Sequence, residues 1–154
     1  AIHNLDSFNS QEMANTVWAY ATLGHEASEL FDAVSERAKA IHNLDSFNSQ
    51  EMANTVWAYA TLGHEASELF DAISKKAINE IDTFNSQDMA NTVWAYATMK
   101  HKAPQLYDAV SERAMQHWDI KLLTYLMLYQ RKQSISWIHL IHKVWLIQYG
   151  HMQL

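Results

Sequence analysis

At 154 residues, with 49% hydrophobic content but only three Gly and one Pro, the chain can bury a core and favours long helices over strands and turns. It has no Cys, which excludes disulfides, thiol nucleophiles and Cys-based zinc sites. Net charge is −6, unevenly spread: residues 1–114 hold 7 Lys and Arg against 16 Asp and Glu, net −9, whereas residues 115–154 are net +3. An acidic region of that size is a poor non-specific binder of phosphate backbones.

The first elements come as copies. "AIHNLDSFNSQEMANTVWAYATLGHEASELFDA" begins at Ala1 and again, identically, at Ala40, and a third copy resumes at Phe84, two residues shorter in its linker. Repeats of this length stack as supersecondary units around a shared core. In each unit Asn9 or Ser10 can cap a first helix, and Asn9 with Glu12 has capping-box spacing. Phe8 before the cap is placed to staple onto Met13. Met13, Val17 and Tyr20 then recur on one face, flanked by Ala14, Trp18 and Ala21, and Gly24 suits the left-handed residue that ends a helix.

The second helix carries Leu30, Phe31 and Val34 at helical spacing, and in the third copy Pro104 falls at a first turn, where Pro is tolerated. The fold expected is all-α: an α-solenoid of stacked two-helix repeats of about 37–39 residues. Its units divide as 1–39, 40–76 and 77–114, followed by a C-terminal helical segment, 115–154. No uncharged apolar stretch is long enough to span a bilayer, and no leader precedes the first unit, so the chain reads as a fragment or internal piece.

Residues 115–154 do not align with a fourth unit in the frame given. Shifted by one base, they permit "ATLGHKAP" and later "MANTVWAYAT" in repeat register. We therefore read them as out-of-frame translation of further repeats. The competing reading is a true cap of two amphipathic helices, "DIKLLTYLMLYQRK" and "SWIHLIHKVWLIQY".

Asn15, Asn54 and Asn91 sit mid-helix, where Asn is unfavourable relative to Ala. Either they present amides to a ligand, or they form an inter-helix hydrogen-bond ladder, the reading favoured at this point. Trp18, Trp57 and Trp94 can stack on bases, but identical Trp at identical positions favours core packing. His25, His64 and His101 recur once per unit and read as solvated residues near a helix C-terminus, not as metal ligands. His139 and His142 have zinc-pair spacing but belong to the suspect segment. Lys75, Lys76, Lys100, Lys102 and Arg113 raise the basicity toward the third unit. No catalytic constellation, cofactor motif or metal set is seen, so an enzyme is not expected.

The stretch "FNSQEMANTVWAYATLG", with "APQLYDAV" in the third unit, resembles the octotricopeptide repeats and the related FAST-kinase-like, RAP-domain-associated helical repeats, across residues 1–114. That resemblance implies single-stranded RNA as partner, in mitochondria or chloroplasts, acting on transcript stability, processing or translation. On it the RNA-binding candidates are Asn15, Asn54, Asn91, Lys75, Lys76, Lys100, Lys102 and Arg113, with the three Trp as core signature. Neither DNA nor a membrane is expected as partner. The alternative is a protein-interaction scaffold, whose acidic surface would suit a basic partner.

Overall fold

A computed structural model describes residues 5–40 and 44–116. The described residues form six α-helices, each pair of them preceded by a short 3-10 turn, with no strand among them. The helices are α1 (Ser10–Thr22), α2 (Ser28–Lys39), α3 (Ser49–Leu62), α4 (Ser67–Asn79), α5 (Ser86–Thr98) and α6 (Pro104–Gln116). Helix α4 thus runs past residue 76, where the repeat spacing placed a division. The expected C-terminal segment lies outside the described residues beyond Gln116. No helix among the described residues is long and apolar enough to cross a membrane.

Local chemistry explains where the first helices begin and end. Asn9 Oδ1 accepts the Glu12 N–H at 2.9 Å, and Glu12 Oε2 accepts the Asn9 N–H at 2.9 Å. Asn48 with Glu51, and Asn85 with Asp88, repeat the box. At the other end Gly24 and Gly63 take φ of +63° and +67°, and Lys100 takes +54° in the same place. The chain then turns back: His25, His64 and His101 each donate their N–H to a Tyr carbonyl five residues earlier, all at 2.9 Å.

The helices stack in two rows. First helices α1, α3 and α5 pack side by side, and second helices α2, α4 and α6 form the other row. Ala14, Ala53, Ala58 and Ala95 are wholly buried, and their small side chains let the first helices approach closely. Between the rows lies one apolar core, including Met13, Phe31, Met52, Phe70, Val93 and Leu106. Burying side chains of this kind contributes about 1.5–3 kcal/mol each. Tyr59 and Tyr96 belong to that core and are fully buried.

The tryptophans lie at its margin: Trp57 and Trp94 are half-buried and pack against the core, whereas Trp18 is 44% exposed. Two residues on from Trp57 and Trp94, roughly 200° around the helix, Tyr59 and Tyr96 point inward and take the core position, while Tyr20 is partly buried against it.

Candidate functional site

Four positions remain on the outer side of the first-helix row. In α3 these are Gln50, Asn54, Trp57 and Thr61, spaced by four, three and four residues, which places them on one helical face. Gln11, Asn15, Trp18 and Thr22 repeat the set in α1, as do Gln87, Asn91, Trp94 and Thr98 in α5. Side by side, the three helices make a lattice of amides, hydroxyls and indoles that carries no charged side chain. The Trp57 and Trp94 rings lie 6.3 Å apart between centroids, tilted by 35°.

Within this lattice the hydroxyls of Thr22 and Thr61 are already engaged. Thr22 and Thr61 donate to the carbonyls of Trp18 and Trp57, both at 2.8 Å. The amides are not: among the described residues the side chains of Asn15, Asn54 and Asn91 make no hydrogen bond. The expected inter-helix ladder of Asn amides is thereby corrected. Asn15 is exposed and Asn54 and Asn91 are half-buried, so each amide can exchange water for a ligand without first breaking a protein contact.

Register between units is held by other groups. The Tyr59 hydroxyl donates to the Phe31 carbonyl at 2.6 Å, and the Tyr96 hydroxyl to the Phe70 carbonyl at 2.6 Å. Beside each, a His Nε2 meets an Asp of the preceding unit: His64 with Asp32 at 3.0 Å and His101 with Asp71 at 2.8 Å. These two His are therefore partnered, not solvated as the sequence suggested, whereas His25 is exposed. Ser10 and Ser49 add hydrogen bonds to the Ser46 and Thr83 carbonyls in the next unit's 3-10 turn, each at 3.1 Å. No group of His, Asp and Glu among the described residues is arranged to hold a metal ion. His139 and His142 lie outside the described residues.

The five basic candidates separate into two sets. Lys76 pairs with Glu80 and reaches the Asp45 carbonyl at 3.4 Å. Arg113 donates to the Asp82 carbonyl at 3.2 Å and lies 3.6 Å from the Asp82 carboxylate. Both tie a second helix to its own unit's 3-10 turn and serve as internal braces. Lys75, Lys100 and Lys102 are exposed and make no ion pair among the described residues. The structure does not bring these lysines onto the lattice; Lys100 and Lys102 follow its edge, just after Thr98.

The sequence reading missed Gln11, Gln50 and Gln87. Their signal was present, since each stands four residues before the Asn on the same face.

No curated protein matches the chain. A family model described as RNA-editing substrate-binding complex 6 protein matches residues 1–124, which takes in all three units. The narrower likeness to octotricopeptide and FAST-kinase-like repeats rests on the motif alone. The stacked helix pairs, the lattice that repeats in register along them and this match agree, and the chain belongs to the RNA-editing substrate-binding complex 6 protein family.

Proposed function

We propose that the chain binds single-stranded RNA on the outer face of α1, α3 and α5, as a non-enzymatic member of an RNA-editing complex in mitochondria. The observation that carries this reading is the uncharged lattice, in which each half-exposed Trp stands next to an Asn amide without a protein partner. Indole faces stack on unpaired bases, and free amides can satisfy the donors and acceptors on base edges. The family's description supports RNA as the ligand and other proteins as partners. Editing is the process we assign; transcript stability, processing and translation are affected through it.

Units one and two present identical lattice residues, so they read the same kind of base; unit three presents the same four residue types. The test is fluorescence anisotropy with labelled single-stranded RNA at low salt, comparing the native chain with Trp57→Ala. Stacking is worth about 1–3 kcal/mol per base, so the variant is expected to bind about five- to 150-fold more weakly. Equal binding by both chains, or equal binding of duplex RNA, would overturn the reading.

A second reading, a scaffold for protein partners, draws on the net −9 charge of residues 1–114, which favours a basic partner surface. Failure to bind RNA at low salt, together with capture of a basic editing-complex subunit, would favour it.

A further inference from the structure

The two junctions between units are built alike but charged oppositely. At the first junction, which holds the His64–Asp32 contact, the register positions Glu26, Glu36, Gly63 and Glu65 carry net −3, with Glu36 also paired to Lys39 at 2.8 Å. The same four register positions at the second junction are Glu65, Lys75, Lys100 and Lys102, net +2. Five charges separate these positions, and the Lys39–Glu68 ion pair that also spans the first junction gives way to Ile78 and Gln105 at the second, while the Tyr and His contacts recur.

The geometry concentrates this difference. His101 reaches Asp71 at 2.8 Å, flanked in the chain by Lys100 and Lys102. Lys75 follows Asp71 by four residues on α4, about 6 Å along the helix. Asp71 contacts His101, Glu68 pairs with Lys39 at 2.7 Å and Glu80 with Lys76, and these three acids with Asp45 line the groove that also holds Lys75. Glu65 is the exposed acid among the described residues that line the cleft between the second and third loops. Lys100 also holds φ of +54° where the other units have Gly. A side chain retained in a backbone conformation that disfavours it points to use.

We infer that Lys75, Lys100 and Lys102 form a phosphodiester anchor for the RNA strand at the junction of units two and three. This rests on the RNA-binding reading above and adds to it a place and a direction. The base lattice is uncharged, so it supplies stacking and no counterion release; the lysines at the end of α5 supply the charge. A strand with a base on Trp94 crosses Thr98 and passes its backbone to Lys100 and Lys102. Among the described units the anchor exists once, which sets the register of the strand on three otherwise repeated units.

The test exchanges junction two for junction one: Lys75→Glu, Lys100→Gly and Lys102→Glu in the full chain. The chain already carries these residues at the equivalent positions, so the exchange leaves folding intact, checked by circular dichroism. Binding of labelled single-stranded RNA is measured across a salt series, alongside Trp57→Ala. Removing three phosphate contacts should flatten the log–log salt slope by about 2, at roughly 0.7 per contact. Trp57→Ala should weaken binding with the slope unchanged. An unchanged slope in the triple variant, with Trp57→Ala still weaker, would overturn the anchor and leave the lattice reading standing. Absence of RNA binding by the native chain overturns both. Polyglutamate that binds the native chain but not the triple variant, with RNA binding unaffected, assigns the lysines to an acidic protein surface and overturns the anchor.

Discussion

The Tyr59 hydroxyl crosses from the second unit to the first and donates to the main-chain carbonyl of Phe31, with the two rings 4.8 Å apart in an edge-to-face arrangement. Tyr96 repeats this on Phe70 at a ring separation of 4.9 Å. Burial, with the nearby Asp32 charge adding, pushes the Tyr59 phenol far above its ordinary range, so it stays a donor at any physiological pH.

Removing that donor isolates its worth. Tyr96→Phe keeps the ring and loses one buried hydrogen bond, which should cost about 0.5–1.5 kcal/mol in urea unfolding. Tyr20, the first unit's equivalent, makes no hydroxyl hydrogen bond among the described residues, so Tyr20→Phe should stay within about 0.5 kcal/mol of the native chain. Equal losses at both positions would mean that the hydroxyl does not clasp the units.

Asn91→Ala distinguishes a ladder from an offered amide. With no hydrogen bond to lose, the substitution should stabilise the helix by about half a kcal/mol through helix propensity. RNA affinity should fall in the same variant. A drop in the urea midpoint would restore the ladder that the structure removes.

Lys100→Gly relieves a left-handed residue at the end of α5. At the equivalent Gly24 and Gly63 a β-carbon would meet nothing within 4 Å, so the strain at this site belongs to the backbone and not to crowding. The substitution should raise stability by about 1 kcal/mol, read by thermal or urea unfolding, while weakening RNA binding. Stability and function would then trade at one residue.

Asp88 gives a pH signature. Unit three has Asp where the others have Glu in the capping box, and the residue is only 5% exposed. Burial holds its pKa above the ordinary carboxylate range, with the Asn85 N–H and the Ser49 hydroxyl working against that. A folded-state pKa above the unfolded one contributes stability that is present below the unfolded value and lost as pH rises through the folded value. Asp88→Asn should therefore gain on the native chain as pH is raised from below about 4 to about 7, in unfolding followed at each pH. A difference between the two chains that stays flat with pH would contradict this.

Much of the fold was legible because its signals are local. Asn9 with Glu12, and Gly24 at the helix end, specify where chain direction changes without reference to any other unit. How deeply the aromatics lie was less legible. The Tyr falls on the apolar stripe and the Trp beside it, but that Tyr59 is wholly buried while Trp57 stays at the margin depends on neighbouring units that periodicity within one helix does not describe. The same holds for charge. Lys75 and Lys76 are neighbours in sequence, yet one faces solvent and the other braces Asp45 and Glu80, because successive residues on a helix point about 100° apart. His64 and His101 looked solvated because their partners, Asp32 and Asp71, lie 32 and 30 residues away.

The clasp between Tyr59 and Phe31 is chemically the same as that between Tyr96 and Phe70, and neither uses a residue peculiar to its own unit. Excise the middle unit and Tyr96 meets Phe31 as it met Phe70. A gene encoding such a chain can lose or duplicate one repeat by unequal recombination and still yield a product whose joints close. The number of units, and with it the length of strand embraced, is then open to selection in whole steps, independently of the pressure to fold.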